Sequence, residues 1–391
     1  MAKDDRWLLP EGIEEVLPDQ ARRLESLRRQ VLDLFDCWGY ELVMPPMIEY
    51  LESLLTGVGL DLDLQTFKVT DQVSGRMMGI RSDMTPQAAR IDAHYLKRDG
   101  AVRLCYLGPV LLTRPDQFAG SREPMQMGAE CFGHQGPESD VEILSLMITT
   151  LTSLGIDNLH IDLGHVGVFR GLAAQAGLTG RQEDALFAAL QRKAGPEIKT
   201  MLLDWDIKEP SRKQLMALVD LNGDASVLQQ AQALFGDAPD SVKTALEQLK
   251  IVASAVAARL PSIELYYDLA ELSGYGYYTG TVFSAFVPGH GRAIAKGGRY
   301  DGIGQAFGRA RAATGFSADL RELVQLAPVR KQVIGAIAAP SDSDTLLWNE
   351  IQRLRQQGER VVVQLTSQQV NDMCDRELKK QNGKWVVVKR K

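Results

Sequence analysis

Two rhythms of apolar residues alternate along the chain. Leu24, Leu27, Val31, Leu34 and Phe35 recur at helical spacing between Asp19, a residue type that opens helices, and Gly39, one that closes them. That stretch predicts an amphipathic helix, and the strand predicted next over 40–44 is stopped by Pro45 and Pro46. Residues 67–70 and 76–80 predict a hairpin turning through 72–75. Thr85 and Pro86 suit the first turn of a helix that runs on through Ala89 and Ile91. From Leu104 to Leu112 the run is almost wholly apolar and predicts a strand. Pro137 then precedes a helix carrying Val141, Ile143, Leu144 and Met147, and a further strand covers 159–163.

From about residue 167 to about residue 261 the chain turns rich in Ala, Leu, Gln and Lys with helical periodicity, broken near Pro196, Pro210 and Pro239. This predicts a helical insertion whose charges form a solvated face. Toward the end, 333–338, 361–365 and 385–389 predict strands, separated by helices over 345–356 and 368–380, with Gly358 closing the first. Together they make a small βαβαβ unit.

Composition narrows the setting. A chain of 391 residues can bury a large core and a second domain, and 45% hydrophobic with 24% charged residues is ordinary for a globular protein. No apolar run approaches the roughly 20 residues that span a bilayer, and Met1-Ala2-Lys3-Asp4-Asp5 leads into no apolar leader, so a cytoplasmic location without membrane contact is expected. Cys37, Cys105, Cys131 and Cys374 are far apart and read as reduced, buried thiols. A net charge of -6 gives no global attraction to a phosphate backbone, and the basic tail of Lys379, Lys380, Lys384, Lys389, Arg390 and Lys391 reads as a solvated end, so no nucleic-acid partner is expected. His94, His134, His160, His165 and His290 form no metal-ligand spacing, and no serine or cysteine sits in a nucleophile context, so neither metal nor cofactor is expected.

The chemistry sits in short motifs. Asp83 and Thr85, two apart, can converge on an ammonium, the acid supplying charge and the hydroxyl an acceptor lone pair. Gln126 and Glu130, four apart on a strand, point to one face. The run Leu272-Ser273-Gly274-Tyr275-Gly276-Tyr277-Tyr278-Thr279-Gly280-Thr281-Val282-Phe283 gathers aromatics, hydroxyls and glycines into a loop ahead of a β-branched strand. It resembles the histidine-recognition motif of class II histidyl-tRNA synthetases, with Ser273 and Gly276 where that family has arginine and aspartate. Arg81-Ser82-Asp83-Met84-Thr85 resembles the family's Leu-Arg-Pro-Glu-x-Thr, and 104–133 resembles its motif 2, ending Gln126-Met127-Gly128-Ala129-Glu130-Cys131-Phe132-Gly133. Gly297-Gly298-Arg299-Tyr300-Asp301-Gly302 matches a further family segment, 314–323 sits where motif 3 belongs, and the opening helix, strand and prolines are similar to motif 1, a dimer interface.

The resemblance implies an α+β fold: a class II synthetase-like antiparallel sheet flanked by helices over 1–330, with the insertion at about 167–261, and a truncated anticodon-binding-like α/β domain over 331–391. It implies a histidine site in which Asp83 and Thr85 hold the amino group, Gln126 the main-chain end and Glu130 the imidazole, with Tyr277, Tyr278 and Tyr300 closing the pocket. The nucleotide contacts are missing. Leu112, Ser273 and Glu322 stand where the family has arginines, Arg114 replaces a glutamate that meets adenine, and Asp319 replaces a glycine. Losing one preorganised donor costs on the order of 10² to 10³ in rate, so the pattern implies a protein without catalytic residues. Among non-catalytic paralogues it resembles the regulatory-subunit family of ATP phosphoribosyltransferase. That implies a short-form catalytic subunit as partner, L-histidine as allosteric ligand, and a homodimer within a larger hetero-oligomer that is activated, and made histidine-sensitive, at the first step of histidine biosynthesis. The alternatives left open are a divergent aminoacylating synthetase and a tRNA-binding module without catalysis.

Overall fold

The computed structural model describes residues 7–56, 60–115, 120–270, 276–328, 335–365 and 373–390. Its strands in chain order are β1 (Glu41–Leu42), β2 (Ile48–Tyr50), β3 (Phe67–Thr70), β4 (Met77–Ile80), β5 (Val102–Pro109), β6 (Met125–Phe132), β7 (His160–His165), β8 (Asn222–Gly223), β9 (Glu264–Asp268), β10 (Thr281–Phe286), β11 (Ala295–Arg299), β12 (Ala313–Asp319), β13 (Ala336–Ala339), β14 (Val361–Val363), β15 (Cys374–Gln381) and β16 (Lys384–Lys389). Two compact units result, Met1–Pro328 and Val329–Lys391.

The first helix, Pro18–Cys37, opens on Pro18 instead of Asp19, because a ring-locked φ and a missing N–H cost nothing in the first turn. Asp19 still serves there, its charge facing the helix N-terminus. In the larger unit the described residues form one sheet in the order β1-β5-β6-β12-β11-β10-β7-β9-β8. It is antiparallel except at the β1–β5 and β7–β9 pairs. The predicted hairpin at 67–80 joins β2 in a small antiparallel sheet of order β2-β4-β3.

Strand alternation sorts the large sheet into a core face and a site face. Met127, Ala129 and Cys131 of β6, Phe316 of β12 and Phe283 of β10 join the main core, packed with Ile143, Leu146 and Met147 of the helix Pro137–Ser153. Phe35 meets Phe316 edge-on at 6.0 Å, so the first helix closes the same core. The helical stretch predicted over 167–261 is helical apart from short links and β8, and Pro196 lies in the first turn of the helix Gly195–Asp204. Pro210 and Pro239 immediately precede Ser211–Ala217 and Asp240–Arg259. Leu249, Val252 and Val256 of the last helix lie in the main core, so this stretch is built into the unit.

In the smaller unit the sheet order is β14-β13-β15-β16, with the helix Thr345–Gln356 where the sequence predicts it. The helix predicted over 368–380 is corrected: residues 374–381 are strand β15, and 366–372 lie outside the described residues. The lysine-rich segment reads like a solvated helix, but Asn382 and Gly383, with φ of 48° and 79°, form the two-residue turn that joins antiparallel strands. Leu378, opposite Val387, is then buried while Lys379, Lys380, Lys384 and Lys389 stay exposed. One cysteine is also corrected. Cys105, Cys131 and Cys374 are buried, but Cys37, at the end of its helix, is exposed, and all are free thiols. Among the described residues no helix is long and apolar enough to cross a membrane.

Arg299 ties the sheet to the helix Pro137–Ser153. Its buried guanidinium donates to Asp140 Oδ2 at 3.1 Å, Ser139 Oγ at 2.8 Å, and the carbonyls of His134 at 3.1 Å and Gly136 at 2.9 Å. A Cβ on Gly280 would lie 2.9 Å from the arginine stem, which is why that position is glycine. Arg299→Met leaves Asp140 as an uncompensated buried charge and is expected to cost about 3–5 kcal/mol in chemical denaturation. A loss below about 1 kcal/mol, typical of an exposed pair, would contradict this role.

Candidate ligand site

Alternation along β6 sends Gln126, Gly128 and Glu130 to the site face, away from the core. Glu130 is only 1% exposed and, among the described residues, pairs with no cation; its oxygens meet tyrosines. When ionised it accepts from Tyr106 at 2.8 Å and from the Tyr300 hydroxyl. Tyr106 then spends its proton on Glu130, so the Thr85 hydroxyl, 2.8 Å away, donates to Tyr106. Asp83 Oδ1 accepts from the Thr85 amide at 2.9 Å and from Gln126 Nε2 at 2.7 Å, while Gln126 Oε1 accepts from the Met84 amide at 2.8 Å. Asp83 thus closes the turn into the helix Thr85–Arg90, and the Thr85 hydroxyl is left to meet Tyr106.

Tyr277 stacks on Tyr300 with centroids 4.9 Å apart and an interplanar angle of 20°, and meets Tyr278 edge-on at 5.3 Å. Asp83, Thr85, Gln126, Glu130, Tyr277, Tyr278 and Tyr300 therefore form one connected cluster, with Tyr277 and Tyr300 laid over the Glu130 end. The Tyr277 hydroxyl is buried and has no hydrogen-bond partner among the described residues. Ser273 lies outside the described residues.

The cluster depends on residues that sequence reasoning did not single out. Tyr106, on β5 opposite Gly128, links Thr85 to Glu130. A Cβ at Gly128 would lie 2.4 Å from the Tyr106 oxygen, and one at Gly315, opposite Glu130 on β12, only 1.5 Å from Glu130 Oε2. These glycines hold open the volume that the hydroxyls and the carboxyl fill. The available signal was a polar-tipped aromatic in an otherwise apolar strand, uninterpretable until the register is known.

A cavity of about 380 Å³ borders the Asp83 and Gln126 end of the cluster. Leu112, Asp319 and Glu322, three of the positions that depart from the synthetase pattern, line it. Leu112 is apolar and offers a phosphate nothing. Glu322 accepts from Arg292 Nε at 2.7 Å and contacts the His290 ring. Asp319 Oδ1 accepts from the amides of Met125 at 2.9 Å and Arg321 at 3.0 Å, capping the helix Leu320–Leu326. Acids thus stand where an anionic ligand would need donors. Among the described residues no cluster of histidine, cysteine or carboxylate groups could hold a metal ion.

Residues 12–323 match the family described as histidyl-tRNA synthetase, and residues 334–388 match the C-terminal domain of ATP phosphoribosyltransferase subunit HisZ. The chain is 55% identical over 394 residues to an ATP phosphoribosyltransferase regulatory subunit of Thioalkalivibrio sulfidiphilus, covering 99% of this chain and 100% of that relative. The chain belongs to the ATP phosphoribosyltransferase regulatory subunit family. A relative of the same name from Ectopseudomonas mendocina is 53% identical, covering 99% of each chain. The solved structure of an ATP phosphoribosyltransferase regulatory subunit/histidyl-tRNA synthetase from Bacillus halodurans C superposes with a TM-score of 0.83 at 27% identity, over 94% of this chain and 95% of that one. Histidyl-tRNA synthetase from Nostoc sp. PCC 7120, at 18% identity and a TM-score of 0.79 over 98% and 97% of the two chains, shares the fold. This member of the regulatory-subunit family thus has a class II synthetase-like fold, and three of its departures from the synthetase motifs, Leu112, Asp319 and Glu322, line one cavity.

Burial pushes the Glu130 carboxyl up from 4.5 to about 8, against the hydrogen bonds from Tyr300 and Tyr106. The unfolded chain releases this proton near 4.5 while the folded chain holds it to about 8. Glu130 therefore favours folding fully below the lower value, and that contribution is lost as pH rises through the window. Unfolding free energies across it should fall more for the wild type than for Glu130→Gln, by on the order of a few kcal/mol. Parallel pH dependence in the two proteins would contradict the assignment.

Proposed function

We propose that this chain is a subunit without chemistry of its own that binds L-histidine at the Glu130 cluster, activates a short-form catalytic subunit of ATP phosphoribosyltransferase in the cytoplasm, and confers feedback inhibition by histidine. The observation that carries the reading is the contrast between neighbouring regions of one face. Glu130, Tyr106, Thr85, Asp83 and Gln126 form an intact hydrogen-bonded chain, while Leu112, Asp319 and Glu322 line the adjoining cavity.

An imidazole ring carries one donor and one acceptor nitrogen when neutral, and a buried carboxyl flanked by hydroxyls can answer either. Tyr277 adds an aromatic face and a buried hydroxyl that lacks a partner among the described residues, a group costly to leave unsatisfied. Asp83 beside the cavity supplies the charge an α-ammonium needs. Adenylation would need cations aimed at phosphate, and where the synthetase pattern has arginines this wall has Leu112 and Glu322. Exposed Leu42, Met44, Ile48 and Met77 around β1, β2 and β4 support a self-association face, as a homodimer within a larger assembly requires.

The effect of histidine is then a coupling free energy passed to the partner, typically about 1–3 kcal/mol. Mixed with a short-form ATP phosphoribosyltransferase, the chain should co-purify with it, raise its rate and make that rate histidine-sensitive. Glu130→Ala should still activate but resist histidine, its affinity for histidine weakened by roughly 1.5–3 kcal/mol. A missing complex, or a rate indifferent to this chain, would overturn the proposal.

A further inference from the structure

An α-amino acid brings a carboxylate as well as an ammonium, and the site described so far is rich in acids: Glu130 in the cluster, with Asp83, Asp319 and Glu322 lining the cavity. A carboxylate held there needs a cation. The cavity wall supplies Arg292 and Lys296. Arg292 is already committed to Glu322 at 2.7 Å. Lys296 is exposed, lines the cavity, and has no ion pair among the described residues.

The sheet register puts Lys296 on the correct face. Tyr106, Gly128, Ser317 and Lys296 lie opposite one another across β5, β6, β12 and β11, all with the parity that faces the site. The neighbouring row runs Glu130, Gly315 and Gly298, and the row beyond on the other side holds Gln126 and Asp319. Lys296 thus lies between the row of Glu130 and the row of Gln126, two strands from β6, a separation of about 10 Å. The floor between is glycine and serine, with no side chain large enough to obstruct a ligand lying across it.

We propose that Lys296 takes the carboxylate of the amino-acid ligand, whose ammonium lies toward Asp83 and whose ring lies toward Glu130. The assignment rests on the histidine reading and deepens it by naming the group that tells an amino acid from the corresponding amine. Lys296 recognises charge at the mouth of the site, while Glu130 recognises the ring.

The test is a two-by-two titration of the purified full-length chain: wild type and Lys296→Met, each with L-histidine and with histamine, which lacks the carboxylate. Lys296→Met should weaken L-histidine roughly ten- to a hundredfold and leave histamine unchanged. Lys296→Arg should restore most of the histidine affinity, and unliganded melting temperatures of all variants should coincide because the side chain is exposed. Wild type that binds histidine, with Lys296→Met binding it equally well or losing both ligands alike, would overturn the inference and leave the histidine reading standing. Wild type that binds no histidine would overturn both.

Discussion

A carboxyl buried without a cation is the constraint around which the large unit is arranged. Glu130 reaches the site face only because β6 alternates it away from Met127, Ala129 and Cys131, which the core requires. Once there it must be satisfied by hydroxyls, since desolvating an unpartnered acid is far costlier than burying one that is hydrogen-bonded. Tyr106 and Tyr300 meet that need, and Thr85 in turn satisfies Tyr106. Space for these groups comes from Gly128 and Gly315, positions where any Cβ would collide with the oxygens. The arrangement is costly, and the Tyr277 hydroxyl, buried without a partner among the described residues, adds to the cost. A buried polar group left unpaired is one that a ligand can satisfy.

Next to this cluster, the cavity lined from the same sheet carries acids that serve as structural groups. Asp319 is tied to the backbone of Met125 and Arg321, and Glu322 to Arg292 and His290, so each acid is part of the local structure. Reverting one of them alone would leave its partners stranded. Both acids are therefore built into the packing, as the proposed role of a subunit without chemistry of its own requires.

Much of the fold was legible because local signals agreed with tertiary demands. The hairpin at 67–80 and the helix Thr345–Gln356 fell where turn residues and periodicity placed them, and prolines stand at the helix starts near 196, 210 and 239. The strand Cys374–Gln381 was misread because its lysines mimic a solvated helix, while the deciding features were the Asn382-Gly383 turn and the pairing of Leu378 with Val387. At the site, Asp83, Thr85, Gln126 and Glu130 could be picked out from spacing and resemblance. Tyr106, Gly128, Gly315 and Lys296 could not, because their meaning depends on which residue lies across the strand, and register is not written in any single segment.

The central claim is that one half of an ancestral ligand site survives and the other does not. Calorimetric titration of the isolated chain with L-histidine and, separately, with magnesium ATP tests it most directly. The account predicts saturable one-site binding of histidine, no saturable heat from ATP, and a histidine affinity that ATP leaves unchanged. Saturable ATP binding that strengthens histidine binding, or a chain that binds neither, would contradict it.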